Sequence, residues 1–222
     1  MDWQAFWLSV RLSLLTSLIL LVIGLPLAWW LSTTRFRWKF LIEAVVALPL
    51  ILPPTVLGFY ILTAISPQGT LGSIWQNLFG STLPFTFEGV LIASVLYSLP
   101  FAVQPFAAAF AGVDRNIIES AWCEGAGRMR TMLQITLPLA APGVVAGIVL
   151  SFAHTLGEFG VVMMVGGNLP GQTRTISIAI YDNVQAMDYA AASQTALILL
   201  GVSLAILIGV YGMQRKIGIW NR

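Results

Sequence analysis

Five long stretches of this chain contain no charged side chain, and they determine which kind of fold is possible. They cover residues 12–34, 44–87, 89–113, 131–157 and 189–214. Each holds an apolar run of about 20 residues, the length of helix that crosses a hydrocarbon layer. The sequence therefore predicts an all-α integral membrane protein with five transmembrane helices, over residues 11–31, 43–65, 90–111, 142–165 and 194–213.

The overall composition favours the same class of protein. The chain is 58% hydrophobic and only 9% charged, whereas a soluble domain carries roughly 25% charged residues. A net charge of +2 without a basic stripe gives no indication of nucleic-acid binding. No G-x-x-x-x-G-K-[ST] phosphate loop occurs, so we expect no ATP hydrolysis by this chain. The single Cys and single His indicate no metal site.

The second uncharged stretch is long enough for two helices, but its second half argues against that. Residues 66–88 are rich in Pro, Gly, Gln and Asn. Such a composition is typical of loops. We predict a loop with one interfacial helix over residues 71–79, anchored by Trp75.

The basic residues predict the orientation of the helices. Nine of the 11 Lys and Arg residues fall on one side of the five-helix scheme: Arg35, Arg37, Lys39, Arg115, Arg128, Arg130, Arg215, Lys216 and Arg222. Positive residues accumulate on the cytosolic side of membrane proteins. The N-terminus, which lacks the pattern of a signal peptide, is therefore expected outside and the C-terminus in the cytosol.

A polar loop over residues 114–138 separates the third and fourth predicted spans and lies on the expected cytosolic side. Asp114 can cap a short helix, Gly125 can end that helix with a positive φ, and a second helix is predicted from Arg128 to Leu137. Two short helices joined at a glycine bend would form a compact knob. Such a knob either docks into a partner or lies on the membrane surface.

The spacing of residues in this loop resembles the EAA loop (E-A-A-x3-G-x9-I-x-L-P) of permease subunits of ABC importers. We call residues 114–138 the EAA-like loop. One marked position differs, because Ser120 stands where the pattern has its middle Ala. The resemblance assigns contact with a partner ATPase to Glu119, Ser120, Ala121, Gly125, Ile135, Leu137 and Pro138.

Two apolar segments carry residues that can interrupt a helix inside the membrane. The second span contains Pro53, Pro54 and Thr55, and each proline removes a backbone donor. Irregular backbone at membrane depth is tolerated where it is buried in protein or lines a cavity. These residues therefore either line a translocation path or form a packed kink.

The fourth span contains His154, Thr155, Gly157 and Glu158. A carboxylate inside a span is costly and suggests a functional role. His154 and Glu158 are four residues apart, so they share a helix face and can pair. The segment either lines a path or gate, or forms a buried polar pair that fixes helix packing. If the cargo is an anion, the second interpretation is favoured for Glu158, because a bare carboxylate would repel it.

The segment after the fourth span runs Asn168 to Thr175 and is expected outside. It can present Thr173 and Arg174 to a binding protein or to an arriving anion. The alternative is a Pro-Gly turn with a solvated arginine.

Three segments together with the EAA-like loop resemble a more specific family. PLILPPTVLGF, LGEFG and NLPGQTRT are similar to segments of molybdate permease subunits of ABC importers. The resemblance extends over residues 6–213 and implies a transmembrane domain of the type I importer fold. The family often has an arginine or another polar residue where this chain has His154.

The resemblance also implies partners and a location. It implies a second copy of the chain, a cytosolic ATPase dimer that binds ATP and magnesium, and an external molybdate-binding protein. This chain itself is expected to bind no cofactor. Import of molybdate, and of the near-identical tungstate dianion, is expected across the bacterial plasma membrane, the inner membrane in a Gram-negative cell, in contact with lipid.

Three rival functions stay open at this point. The first is a permease of the same class whose cargo is sulfate, thiosulfate or another oxyanion. A secondary transporter or channel would need no ATPase, and the EAA-like loop would then have no role. An intramembrane enzyme would need a nucleophile and a base, or a set of metal ligands, at membrane depth. At that depth the spans offer only one His and one Glu for these roles.

Overall fold

The computed structural model describes the backbone of residues 2–220 and the side chains of residues 2–209. Over this range the chain is helical, as predicted. The α-helices are α1 (Trp3–Thr33), α2 (Lys39–Ile51), α3 (Pro54–Ile65), α4 (Thr70–Phe79), α5 (Phe87–Ala111), α6 (Arg115–Cys123), α7 (Arg128–Thr131), α8 (Leu137–Leu156), α9 (Gly160–Gly166), α10 (Ile176–Gln185) and α11 (Tyr189–Trp220). A π-helical segment, Met132–Thr136, joins α7 to α8. Of the basic residues used for orientation, the Arg215 and Lys216 side chains and all of Arg222 lie outside the described part.

Four helical units are long and apolar enough to cross a membrane: Trp3–Thr33, Phe87–Ala111, Arg128–Leu156 and Tyr189–Gly209. The α2–α3 pair makes a fifth span if the two helices are counted as one, although they are bent by 115°. By length and composition the described chain therefore has four or five candidate spans.

The centre of the fold is the packing of α1, α5 and α8 against one another. Phe106 of α5 is fully buried there. Gly24 of α1 and Gly147 of α8 both face its ring, and a Cβ at Gly147 would lie 2.6 Å from Phe106 Cε1. Small residues on two helices thus make room for one large ring, which brings three helices close together.

The span predicted over residues 43–65 consists of two helices rather than one kinked helix. α2 ends at Ile51, and Leu52 and Pro53 are both extended, with ψ of 135° and 136°. Proline disfavours the helical conformation of the residue before it. Pro53 acts on Leu52 in this way, and Pro54 acts on Pro53, so two consecutive prolines break the helix.

The expected continuous helix over residues 142–165 is also interrupted. α8 ends at Leu156, and α9 begins at Gly160. Phe159 has φ −128° and ψ −56°, outside the helical region. Gly157 has the weak helix propensity of glycine, and we call residues 157–159 the GEF break.

The helix predicted from Arg128 to Leu137 is present and leads directly into the transmembrane helix. Helix runs without a gap from Arg128 through the π-helical segment to Leu156. The π-helical segment ends just before Leu137 and Pro138. Proline has no N–H to donate to the carbonyl of Gln134, and its ring needs space in the preceding turn. The wider π-helical turn supplies that space.

Two shorter helices complete the fold. α4 corresponds to the helix predicted over residues 71–79, and the Trp75 indole donates to Ser81 Oγ at 3.2 Å. α10 was not predicted from the sequence. It packs against α11 and α1, and its Ile176, Ile178 and Ala179 are buried.

Candidate coupling and translocation sites

In the EAA-like loop, α6 and α7 are joined by a tight bend at Gly125. The Asp114 carboxylate caps α6 by accepting from the backbone N–H of Asn116 at 2.8 Å. At the other end Gly125 has φ +86°, which confirms the predicted positive φ. The N–H of Ala126 then donates to the carbonyl of Ala121 at 2.9 Å. Gly125, in the left-handed conformation, therefore terminates α6 and directs the chain toward α7.

The surface of this loop combines charge with uncovered apolar side chains. Glu119 is exposed and accepts from Arg115 Nε at 2.7 Å. Ala121 is buried, whereas Ile117 and Trp122 are 45% and 46% exposed. Of the other marked residues, Ser120 and Pro138 are exposed, and Ile135 and Leu137 are half-buried. The apolar face of α6 is therefore largely left uncovered by the described residues.

The two predicted path segments meet in space. Pro54, the first residue of α3, lies against Gly160, the first residue of α9. One turn further along each helix, Gly58 lies against Met164, where an added Cβ would be 2.8 Å from the Met164 Cβ. Buried Ile61, Ile65, Val161 and Val165 continue this packing. The break at Pro53 and the GEF break are thus held side by side by α3 and α9.

The predicted path residues differ in how accessible they are. Pro53, Pro54 and Thr55 are exposed, as is Gly157. Thr155 is 1% exposed, so it does not lie on the surface that these residues share. The accessible part of the paired breaks therefore consists of Pro53, Pro54, Thr55 and Gly157.

A polar cluster links α5 to α8 beside the GEF break. Ser98 Oγ lies 2.9 Å from His154 Nδ1 and 2.8 Å from Thr155 Oγ1. The Thr155 hydroxyl also donates to the Ser151 carbonyl at 2.9 Å. Sequence reasoning did not select Ser98. The signal that was available is the pair Ser94 and Ser98, four residues apart in a mostly apolar span.

The expected pairing of His154 with Glu158 is wrong. The imidazole of His154 is bonded to Ser98 and stacks on Phe101 at 3.8 Å between ring centroids, with Tyr97 at 4.7 Å. These contacts hold the ring against α5. Glu158 is 5% exposed, and both of its carboxyl oxygens lack a hydrogen-bond partner among the described residues.

The segment from Asn168 to Thr175 is a folded turn. The backbone N–H groups of Gln172, Thr173 and Arg174 all donate to the Leu169 carbonyl, at 3.0 to 3.1 Å. Thr173 is fully buried, and its hydroxyl donates to the Gly166 carbonyl at 2.7 Å. Thr173 therefore fastens the turn to the end of α9.

Arg174 is ion-paired within the chain. Its Nη2 lies 2.9 Å from Asp182 Oδ2 on α10, and its Nε lies 3.7 Å from Asp2 Oδ2 at the start of α1. Asn168 also donates to Asp182 Oδ2, at 2.7 Å. The sequence analysis did not select Asp182, because it did not predict α10. Arg174 thus connects three elements of the fold.

Comparisons with known proteins identify the family of this chain. Residues 12–218 match the family described as binding-protein-dependent transport system inner membrane component. The molybdenum transport system permease protein ModB of Azotobacter vinelandii is 49% identical over 214 residues, which is 96% of this chain and 95% of that protein. A probable sulfate transport system permease protein cysT of Chlorella vulgaris is 32% identical over 211 residues, 95% of this chain and 79% of that protein.

The fold matches a solved ABC transporter. The crystal structure of a bacterial ABC transporter involved in the import of the acidic polysaccharide alginate aligns with a TM-score of 0.79 at 20% sequence identity, over 96% of this chain and 79% of the other. This chain therefore shares its fold with a chain of that transporter. Together with the match over residues 12–218, this shows that the chain belongs to the inner membrane components of binding-protein-dependent transport systems.

Proposed function

We propose that this chain is the membrane-spanning permease subunit of an ATP-driven importer that carries molybdate, and also tungstate, into the cytoplasm. The observation that carries the cargo assignment is the 49% identity, over almost the full length of both chains, to a molybdenum permease. The sulfate permease relative is 32% identical and aligns over less of its own length. The proposed partners are a second copy, a cytosolic ATPase dimer that uses ATP and magnesium, and an external molybdate-binding protein.

The position of the paired breaks supports a path between two copies. The exposed residues Pro53, Pro54 and Thr55 lie on the outside of one subunit, so one copy alone does not enclose them. Apolar side chains next to them are uncovered as well: Ile51 is 81% exposed, Phe59 54% and Tyr60 63%. A second copy facing this surface would cover the apolar residues and close a path lined by both sets of breaks.

The chemistry of this surface suits a dianion that must bind weakly and leave. In the first turn of α3, Pro54 has no N–H and the N–H groups of Val56 and Leu57 donate to the Pro53 carbonyl, so the backbone N–H of Thr55 is the donor that remains at this helix start. A helix N-terminus also carries partial positive charge. Fixed cationic side chains would hold the dianion, whereas conduction needs binding weak enough for release. Within the predicted spans the charged residues are Arg11 and Glu43 at span ends and Glu158 inside.

The connection from the EAA-like loop to the breaks supports ATP-driven alternating access. The helix from Arg128 to Leu156 runs directly from the loop to the GEF break. α9 follows the break and packs against α3. Movement of the loop by a partner ATPase would therefore be transmitted to the paired breaks. ATP binding closes the ATPase dimer and opens the cavity outward, and hydrolysis resets it inward.

The proposed orientation has the N-terminus outside, the C-terminus in the cytosol and five spans, with α2 and α3 counted as one broken span. It rests on the asymmetry of the basic residues. It places the EAA-like loop in the cytosol, where an ATPase is available. The proposed location is the plasma membrane of a bacterium, the inner membrane in a Gram-negative cell, surrounded by lipid.

Competition between oxyanions tests the cargo assignment. Vesicles should contain this permease with its partner ATPase, and the external binding protein should be supplied on the outside. We expect uptake of labelled molybdate to be blocked by an excess of unlabelled tungstate and left nearly unchanged by the same excess of sulfate. Equal competition by sulfate would favour the sulfate-type permease, the rival function that the cysT relative supports.

A further inference from the structure

The Glu158 carboxyl is unusual because it is buried inside a predicted span. It belongs neither to the EAA-like loop nor to the exposed residues of the paired breaks. It is 5% exposed, and neither oxygen has a hydrogen-bond partner among the described residues. An ionised carboxylate in an apolar interior is far more costly than a neutral polar group. A buried charge requires an opposite charge or several donors, and the contacts described around Glu158 supply neither.

The nearest candidate for a counter-charge does not reach Glu158. His154 is one helical turn away, but its imidazole is turned to Ser98 and stacks on Phe101. No ion pair in the described part of the chain includes Glu158. The opposite helix presents Tyr97, whose phenol is neutral in its ordinary state.

The packing of α5 against α8 brings one polar group of α5 next to Glu158. Gly143 of α8 packs on Ala109 of α5, and further along the two helices His154 and Thr155 bond to Ser98. α5 and α8 therefore run in opposite directions. α8 ends at Leu156, so Glu158 lies just beyond this helical register, but Ser94, one turn before Ser98 on α5, has its hydroxyl close to the Glu158 carboxyl. Ser94 is fully buried, and its hydroxyl also lacks a partner that meets strict hydrogen-bond geometry.

We propose that Glu158 is held as an uncharged carboxylic acid that forms a hydrogen-bonded bridge with the Ser94 hydroxyl. The acid O–H donates to Ser94 Oγ, and the Ser94 hydroxyl can donate in turn to the carboxyl carbonyl. This pairing satisfies two buried orphan groups with each other. It fixes the GEF break to α5 through a side chain that carries no charge.

This inference rests on the proposed function for its biological consequence. The GEF break adjoins the surface proposed for a dianion, and a negative charge there would repel the cargo strongly in a low-dielectric site. A neutral acid can hold the GEF break to α5 through its hydrogen bond with Ser94 and does not repel the dianion. Glu158 is thus a positioning residue and does not contact the cargo.

Infrared difference spectroscopy tests the protonation state without any transport. The assembled importer, with its ATPase, is measured in lipid as wild type and as Glu158→Gln, in H2O and in D2O. We expect the wild type alone to show a carbonyl stretch of a protonated carboxylic acid that shifts in D2O. Ser94→Ala should keep this band but move it to higher wavenumber, because its hydrogen bond is lost. Glu88→Gln, at an exposed glutamate, serves as the matched control and should leave the band unchanged.

Transport by the same variants tests the positioning role. Gln keeps the size and the hydrogen bonding of a neutral acid, so Glu158→Gln should take up molybdate within about threefold of wild type at neutral pH. At alkaline pH the wild type should lose uptake more steeply than the Gln variant, because only the wild type can ionise at this position. Tyr97 and His154, the titratable groups that face this region from α5 and α8, are present in both proteins.

Two results would overturn the inference. The first is the same absorption for wild type and Glu158→Gln in the region of protonated carboxylic acids, together with loss of carboxylate stretches in the variant, which would mean that Glu158 is ionised. The second is loss of uptake in a fully assembled Glu158→Gln complex, which would mean that the charge is required. If the wild type itself does not import molybdate, the proposed cargo is wrong, while the spectra still decide the state of Glu158.

Discussion

Pro54 lies directly against Gly160, so closely that a Cβ added at Gly160 would come within 2.6 Å of the Pro54 Cβ. Each of the two residues begins the second half of a broken apolar segment. Their contact therefore joins the break after α2 to the break after α8. It is also the point where movement of α8 and α9 would reach α3.

Substituting Gly160 by Ala should disturb this contact. The new methyl group would overlap a proline ring held by the backbone, and overpacking of this kind costs about 1–3 kcal/mol. A packing cost of about 1 kcal/mol that is added to the barrier of the transport cycle lowers the rate about fivefold. We therefore expect molybdate uptake to fall by about fivefold or more. Uptake and basal ATP hydrolysis should be measured on the same reconstituted complex.

Gly201→Ala is the matched control for that substitution. An added Cβ at Gly201 meets nothing within 4 Å, and this residue lies on α11, away from both breaks. The control should transport like wild type. If Gly160→Ala also transports normally, the contact between the breaks has no role in transport.

The bend of the EAA-like loop should be sensitive to proline. Gly125 has φ +86°, whereas proline fixes φ near about −65°. Gly125→Pro also removes the N–H that donates to the Trp122 carbonyl at 3.0 Å. We expect ATP hydrolysis to continue while uptake is lost, measured as the ratio of molybdate imported to ATP hydrolysed.

Gly127→Ala provides the comparison for the bend. Gly127 has φ −71°, and an added Cβ has open space. This variant should remain coupled. A coupled, fully active Gly125→Pro variant would show that the loop does not receive the ATPase.

Arg174 should prove to be important for stability. Arg174→Gln leaves the Asp182 carboxylate without its guanidinium partner, and loss of such a partner costs about 1–3 kcal/mol. A double-mutant cycle with Asp182→Asn separates this role from contact with a binding protein or an anion. We expect the double variant to recover thermal stability and uptake together. Recovered stability without recovered uptake would assign Arg174 a direct contact in transport.

The proposed orientation can be tested by cysteine labelling. Cys123 is a free, exposed thiol on α6. It should react with a membrane-impermeant thiol reagent only from the cytosolic face. In a Cys123→Ser background, Gln76→Cys on α4 should react only from the outside. The opposite sidedness in either protein would overturn the N-out orientation.

The sequence predicted the apolar segments well because charge-free runs of this length have few alternatives to a membrane helix. It did not predict how two of those segments are broken. The prolines at 53 and 54 signal a disruption, but whether a helix kinks or turns by 115° depends on its neighbours. Here α9 packs against α3 and stabilises the sharper turn.

Partners of polar side chains were harder to predict than helices. His154 and Glu158 have the spacing of a pair on one helix, yet Ser98 and the ring of Phe101 hold the imidazole instead. Those residues belong to α5, and the register between α5 and α8 cannot be predicted from the sequence of either helix alone. Asp182 was missed for a related reason, since its role depends on α10 lying beside the turn that carries Arg174.

The role proposed for this chain is to form the path of an importer driven by ATP. The direct measurement is accumulation of labelled molybdate inside vesicles that contain the permease with its ATPase, with the binding protein outside and ATP enclosed. We predict accumulation above the external concentration with ATP, and none with a non-hydrolysable analogue or without the ATPase subunit. Equal accumulation without the ATPase, driven by an ion gradient, would contradict the claim and identify a secondary transporter.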